Sequence, residues 1–473
     1  MGKEPTERLL KASERFIRKV KATVTGKHQA QSVIAGIRWH VDFPSPERPA
    51  WLFPNGWVVQ GWVLLPDHLA EHRAKVTVVA KWADAFEVCH PLTLNRPDVV
   101  EEALGKRPAY SNQLKCGFRF TVPQHLTTFS LSVWVEGECS GSKVVQMPAV
   151  MEEAAQPPKL KVLEGKEGWL FLDNDTNGSV DQYCGRLRLT EEGINSWQAY
   201  LTGVGAIAQQ WNARTAVLVA PSKESVMGPR YHPYTEGDGG PISQLLELPG
   251  EFPFVYPVPE LSAMGDDAFI QTDTHWTQQG AMAAAKALAA KLGLESEAVA
   301  QLFAKDRYHK RVLTGDLGNK FEPPRQCEVP ILASFSYSKY RYYDNGLPNF
   351  GRLLVLVNDD ALVQETCLIF GSSSSYSMFH YLCRLFHRVV FVHSAGSLDQ
   401  ALVSAVKPAY LVIQTNARFV VQVPSLEQSL EKMIIDKRSR LSEEELEMVA
   451  KRQICPPAED VLLAELNLTP WLI

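Results

Sequence analysis

Long apolar runs are missing from this chain of 473 residues. None approaches the roughly 20 residues that a helix needs to span a bilayer. A cysteine framework is missing too. Cys89, Cys116, Cys139, Cys184, Cys327, Cys367, Cys383 and Cys455 fall singly, with no CxxC spacing. That pattern argues against a disulfide scaffold and against a structural zinc site, and reads as reduced, mostly buried thiols; no metal is expected. An excess of one charge is also absent. A formal net charge of -5 provides no basic field to recruit nucleic acid. The opening residues MGKEPTERLL lack a charged head followed by an apolar run, so the expected compartment is the cytoplasm. Neither internal repeats nor low-complexity tracts are evident.

What is present is an ordinary globular composition, 45% hydrophobic and 21% charged, long enough for two or three domains. Residues 5–24, within a first segment 1–31, repeat apolar side chains at helical spacing: Leu9, Leu10, Phe16, Ile17, Val20 and Val24. Basic residues cover the other face. The favoured expectation is packing against protein; the alternative is a peripheral contact with an anionic membrane face.

Residues 32–150 change character. Short alternating or β-branched runs recur, at Ser32–Val41, Gly56–Leu65, Lys75–Lys81, Gly117–Val122, Ser130–Glu136 and Lys143–Gln146, between Pro and Gly punctuation. This predicts a β-sandwich. Trp39, Trp51, Trp57, Trp62, Trp82 and Trp134 are six of the eleven tryptophans and lie here. Aromatic faces on such a module can stack on sugar rings, although for each one singly core packing is the better reading. Arg96-Pro97-Asp98-Val99 with Cys116-Gly117-Phe118 loosely resembles a module found beside bacterial glycan-modifying domains, and an Arg-Asp pair held by a Pro is equally a structural turn.

After a polar linker near 151–160, strands and helices alternate. The expected strands are Thr215–Ala220, Phe252–Val258, Leu353–Val357, Thr366–Phe370, Arg388–His393 and Tyr410–Gln414; the expected helices include Thr190–Trp211 and 278–292. Alternation predicts an α/β domain over 160–424 with a mostly parallel, doubly wound sheet. Ligands of such sheets bind at the carboxyl ends of strands. Ser222 and Lys223, Ser373, and Thr415 and Asn416 all fall near such ends, which places them in one expected crevice. Residues 425–473 read as solvated capping helices ending in an apolar tail.

Two stretches carry chemistry. Asp273-Thr274-His275-Trp276-Thr277 sets an acid two residues from an imidazole, just before an Ala-rich helix. That is the base-and-orienter half of a nucleophilic triad. The strand ending in Phe370 runs into Gly371-Ser372-Ser373-Ser374-Ser375. A nucleophile on a strand-to-helix turn needs small neighbours, and the amide of Ser373 near the helix start would face a developing oxyanion. Taken alone, a Ser-rich turn is more often a helix cap; an Asp-x-His segment in the same domain favours the catalytic reading. His232, His309, His380, His387 and His393 lack such a frame.

Asp-Thr-His-Trp-Thr, followed by Gly280 and by a later Gly-x-Ser turn, resembles the SGNH-like acetyltransferases of the alginate O-acetyltransferase family. Gly168-Trp169-Leu170-Phe171, Pro221-Ser222-Lys223 and Gly315-Asp316-Leu317-Gly318 match the same pattern in order, over roughly residues 160–420. The resemblance implies an SGNH-like catalytic domain with Asp273, His275 and Ser373 as the triad, in the chain order Asp, His, Ser. The family often has Gly-Asp-Ser or Gly-Thr-Ser where this chain has Gly371-Ser372-Ser373, so Ser372 and Ser374 stand as rival nucleophiles. Lys223 and Arg418 are candidate partners for substrate or oxyanion, and Asn358 or Asn416 is a candidate oxyanion amide.

The function expected from these residues is O-acetyl transfer to a bacterial surface glycan or its precursor through an acetyl-serine. No bound cofactor is expected; the co-substrate is an acetyl ester or thioester, with a membrane acyl carrier as one source. The alternatives are a carbohydrate acetylesterase and an idle glycan-binding scaffold.

Overall fold

The computed structural model describes residues 36–44, 52–53, 56–82, 86–105, 108, 111–122, 126–147, 162–173, 175, 177–456 and 461–472. The expected helix at 5–24 and the linker at 151–160 lie outside them, as does Trp51.

Two antiparallel sheets form the N-terminal region. One holds β1 (Arg38–Phe43), β2 (Leu52–Phe53), β3 (Gly56–Leu64) and β6 (Gly117–Val122). The other holds β4 (Val76–Trp82), β5 (Phe86–Pro91), β7 (Thr128–Val135) and β8 (Glu138–Gln146). The inward residue of each alternating pair feeds one shared core: Val59 and Val63, Val78 and Ala80, Phe118 and Phe120, Leu131 and Val133. Trp57 and Trp82 belong to that core, whereas Trp134 is exposed. Arg96 is spent on structure. Its guanidinium pairs with Asp42 of β1 and with Asp98, each at 2.6 Å, so the Arg-Pro-Asp-Val stretch is a clasp holding the helix Pro97–Leu104 to the sheet.

The chain then forms a hairpin of β9 (Val162–Glu164) and β10 (Leu170–Leu172). It next sends β11 (Leu187–Leu189) back to pair with β5. The N-terminal sheet thus recruits a strand from beyond the expected boundary at 150–160. Leu187 joins its core, and Asp181 pairs with Arg186 at 2.7 Å and faces His90 at 3.8 Å.

The main sheet has seven strands: β12 (Arg214–Ala220), β13 (Phe254–Val255), β16 (Arg341–Asp344), β17 (Leu353–Val357), β18 (Val363–Gly371), β19 (Phe386–His393) and β20 (Tyr410–Asn416). Their order is β13-β12-β20-β18-β19-β17-β16. The first five are parallel to their neighbours, β17 runs against β19, and β16 runs against β17. β14 (Tyr308–Leu313) and β15 (Cys327–Leu332) form a separate hairpin. The parallel strands are apolar on both faces, as strands covered on both sides must be. Ile369 and Phe391 meet the helices Gln278–Lys291 and Ser375–Leu385, while Leu368, Phe370 and Val390 meet Glu191–Gln210 and Gln400–Val406. A fully buried side chain of this size contributes about 1.5–3 kcal/mol.

The expected strand Phe252–Val258 shrinks to two residues. Pro253, Pro257 and Pro259 lack the amide protons a ladder needs, and Val258–Ser262 turns into helix instead. The C-terminal helices Leu430–Arg438 and Glu443–Arg452 are solvated on one face only. Leu430, Ile434, Val449, Leu466, Leu468 and Trp471 are buried in the core beneath the sheet. Among the described residues no helix is long and apolar enough to cross a membrane.

Candidate active site

Three parallel neighbours, β12, β20 and β18, deliver their carboxyl ends side by side. They lead into Pro221-Ser222-Lys223, Asn416-Ala417-Arg418 and Ser372-Ser373 respectively. A narrow crevice opens there, lined by Ser222, Lys223, Glu224, His275, Asn416 and Arg418 among others.

The acid and the base sit on the loop before the helix Gln278–Lys291. Asp273 Oδ1 accepts from the His275 amide at 2.9 Å and from His275 Nδ1 at 2.7 Å. Its second oxygen accepts from the Asp316 amide at 2.8 Å. Three N–H donors therefore hold one carboxylate. Burial works to raise the Asp273 pKa, but the bond and charge of His275 and the backbone donors outweigh it and bring it down to about 2. Because Asp273 can only accept, His275 carries its proton on Nδ1 and presents Nε2 bare. Ser373 Oγ lies 3.0 Å from that nitrogen. Burial pulls the imidazole pKa down; the Asp273 bond and charge, with the charge of Asp316, more than offset it, and the net shift is upward.

Trp276 fixes the two halves relative to each other. Its indole N–H reaches the Ser374 carbonyl at 3.2 Å and Ser377 Oγ at 2.8 Å. Thr277 caps the helix, accepting from the Gly280 amide at 2.9 Å.

The serine turn separates its four hydroxyls. Ser372 Oγ donates among Gln414 Oε1 and Asn416 Oδ1, Ser374 Oγ to Asn416 Oδ1, and Ser375 Oγ to Gln414 Oε1. All three are buried. Of the four, Ser373 alone faces the imidazole. The rivals Ser372 and Ser374 are tied into the floor of the turn. A Cβ at Gly371 would lie 2.7 Å from Ser375 Oγ and 2.8 Å from the Phe391 ring, so the turn requires glycine there. The amides of Ser373 and Ser374 have no acceptor among the described residues, and they precede the helix Ser375–Leu385. With Asn416 Oδ1 occupied by three donors, its Nδ2 has no partner among the described residues, and Asn416 lines the crevice.

Two candidates from sequence have their polar groups engaged within the protein. Lys223 is 3% exposed, and its ammonium donates among the carbonyls of Leu170, Ile270, Gln271 and Asp273 at 2.7–3.0 Å. It clamps the β10 hairpin to the acid–base loop and has no proton to spare. Asn358 follows β17, which runs against β19, so it lies at the opposite end of the sheet from Ser373. Its amide donates to the Cys383 carbonyl at 2.8 Å and its oxygen caps Asp360. Arg418 lines the crevice and stacks over Phe419 at 4.9 Å.

Asp316 was not among the candidates. It receives the Thr274 amide at 2.8 Å and the Thr274 hydroxyl at 2.5 Å, and lies 3.8 Å from His275 Nδ1. Burial and the neighbouring Asp273 charge raise its pKa. The only hint of it in the sequence is the Gly-Asp-Leu-Gly string. Gly315 there has φ +74° and approaches the Thr272 carbonyl too closely for any Cβ. Asp273, His275 and Asp316 each put a ligand atom within 4.8 Å of the others. The hydrogen bonds above already occupy those atoms, so a cation would have to break the relay to bind.

Residues 256–347 match the family described as SGNH hydrolase-like domain, acetyltransferase AlgX. The matched segment holds Asp273, His275 and Asp316 and ends before Ser373. The chain is also similar to a probable alginate O-acetylase, AlgJ, of Pseudomonas putida, with 28% identity over 174 residues, 33% of this chain. That match spans 41% of the relative's length. Among solved structures, the O-acetyltransferase domain of Pseudomonas putida AlgJ aligns at 16% identity over 62% of this chain and 100% of its own, with a TM-score of 0.33. Bacillus cereus PatB1 with a sulfonyl adduct aligns at 11% identity over 58% of this chain and 99% of its own, with a TM-score of 0.41.

Proposed function

We propose that this chain is a serine O-acetyltransferase acting on a bacterial polysaccharide or its precursor. The observation that carries the reading is the relay of Asp273, His275 and Ser373, with links of 2.7 and 3.0 Å at the carboxyl edge of the sheet. In this reading His275 Nε2 takes the Ser373 proton while Oγ attacks the acetyl carbonyl of an ester or thioester donor. The amides of Ser373 and Ser374 and the Asn416 side-chain amide face the oxyanion. His275 returns the proton to the leaving group, and the acetyl group stays on Ser373. A sugar hydroxyl then gives its proton to His275 and attacks the acetyl-serine; His275 passes that proton to the departing Ser373 Oγ, which frees the serine and yields the acetylated sugar. Asp273 orients the ring and stabilises the imidazolium. The name of the AlgJ relative, an alginate O-acetylase, supports acetyl transfer to a polysaccharide. The catalytic unit in this reading is 160–424, with the two N-terminal sheets packed as a β-sandwich beside it.

Mass spectrometry after incubation with a generic acetyl ester tests the proposal. A gain of one acetyl group on Ser373, absent from Ser373→Ala and from His275→Ala, is the expected result. A gain mapped to Ser372 or Ser374 would move the nucleophile. No gain on any serine of the turn would leave only a scaffold. Release of acetate with no acetylated sugar from any acceptor would make the enzyme an esterase.

A further inference from the structure

Lys223 is held in an unusual way for a lysine. It opens the helix Lys223–Tyr231, is buried, and among the described residues forms no ion pair with a carboxylate. Its Nζ stands instead among four backbone carbonyls: Leu170 at 2.7 Å, Ile270 at 2.7 Å, Gln271 at 2.8 Å and Asp273 at 3.0 Å. The rings of Trp169 and Phe171 lie 5.0 and 5.5 Å from it. An ammonium has three protons, so four oxygens share three donors.

Three of the four carbonyls, those of Ile270, Gln271 and Asp273, belong to one tight turn. The Asp273 amide closes it on the Ile270 carbonyl at 3.2 Å, and the Ile270 amide reaches the His275 carbonyl at 3.1 Å. Carbonyl oxygens aimed at one point repel one another, and proteins gather them in this way around a bare monovalent cation. With no charge at the centre, buried carbonyls lose their donors and the turn gains by opening. Opening it would move the backbone that carries Asp273 and, two residues on, His275. Burial pulls the Lys223 pKa down to about 7 against the charges of Glu224, Asp273 and Asp316, and the carbonyl acceptors favour the charged form further.

We propose that Lys223 is a positioning residue for the relay. Its ammonium takes the place of a monovalent cation, draws the carbonyls of the turn together, and so fixes the backbone from which Asp273 and His275 project. The consequence for catalysis rests on the acetyl-transfer reading; the consequence for the Asp273–His275 bond does not.

Two readouts on the full chain test this. One is the rate of Ser373 acetylation by a generic acetyl ester. The other is the downfield proton resonance of His275 Nδ1–H, assigned by its loss in His275→Ala. Lys223→Met keeps the apolar stem and drops the charge. It should lower the rate about 100-fold, the scale of loss for a displacement of about 1 Å, and remove the resonance. The half-saturating ester concentration should change less than threefold. Lys223→Ala should behave alike. Lys223 lines the crevice, so its removal leaves a slot that small cations can enter. Propylammonium supplies the missing atoms. It should raise the Lys223→Ala rate at least tenfold, after subtraction of the rate of the same protein carrying Ser373→Ala, and return the resonance. The neutral 1-propanol should do neither. Lys223→Gln still donates to the carbonyls and guards against a folding defect in the other variants; without the charge it should lose at least tenfold. A folded Lys223→Met or Lys223→Gln protein within tenfold of the wild-type rate, an unchanged resonance, or equal restoration by 1-propanol would overturn the proposal. If wild-type protein never takes an acetyl group on Ser373, the catalytic reading fails by itself. The resonance then decides the role of Lys223 alone, and its survival in Lys223→Met would sink that too.

Discussion

Asp273 makes the quantitative case at the scale of single residues. Its carboxylate is held by three N–H donors, and the charge it keeps raises the pKa of His275. A base must be neutral to act, so serine acetylation should rise with pH through a midpoint above the ordinary histidine value of 6.5. Asp273→Asn removes both the charge and the tautomer control. The acetylation rate should fall about 10^4-fold, as in other relays of this type, and the midpoint should move down. Asp316→Asn keeps an acceptor for the Thr274 amide but removes a charge that raises His275. It should lower the midpoint with a much smaller loss of rate. Stopped-flow acetylation over pH 5–9 measures both; an unchanged midpoint in both variants would refute the electrostatic account. Asp273, His275 and Ser373 were legible in the sequence because their residue types and local spacing announce them. Asp316 was not, because what it holds is the backbone of Thr274, 42 residues away. Lys223 looked like a substrate partner because a sequence shows the charge and not the four carbonyls that surround it.

Among the elements, the serine turn and the two helices behind it decide which hydroxyl can react. Ser372, Ser374 and Ser375 share Gln414 and Asn416 as acceptors in a buried network, and Trp276 ties the loop of the base to the same helix. Ser372→Ala removes a buried donor and leaves part of Gln414 and Asn416 unsatisfied. It should lower unfolding stability by about 1–3 kcal/mol while Ser373 still takes the acetyl group. Ser373→Ala should do the reverse, with little change in stability and no acetylation. Urea melts beside the mass measurement separate the two, and an acetyl-free Ser372→Ala protein of normal stability would break the division of labour. Strand existence here was readable from β-branched runs; direction was not. Asn358 follows a strand that looks like its neighbours in sequence but runs the other way, which is why it lies at the wrong end of the sheet.

At the scale of the molecule, buried histidines bear on acid stability. The strand-rich and alternating halves were visible in hydrophobic periodicity. The return of β11 to β5 was not, since three residues carry no pattern of their own. At that junction His90 stacks on Phe120 at 4.2 Å and faces Asp181. Burial lowers its pKa to about 4, as it does for His380 and His393, and it lowers His232 as well. For these four the folded pKa lies below the unfolded one. The unfolded chain therefore binds protons that the folded chain refuses between about pH 6.5 and 4, and stability falls as pH drops through that window. His275 works with the opposite sign, as do Asp316, Glu224 and Glu236, since their raised pKa values add stability as pH falls through them. Asp273, lowered to about 2, gives up its contribution only below about pH 3.8. Urea midpoints from pH 7 to pH 5 read the balance of these two sets, and single substitutions isolate each member's share. Each of these histidines contributes up to about 1.4 kcal/mol per pH unit. His90→Phe, which keeps an aromatic ring against Phe120, should flatten the slope by close to one proton. An unchanged slope would mean that His90 takes up its proton without opening the junction.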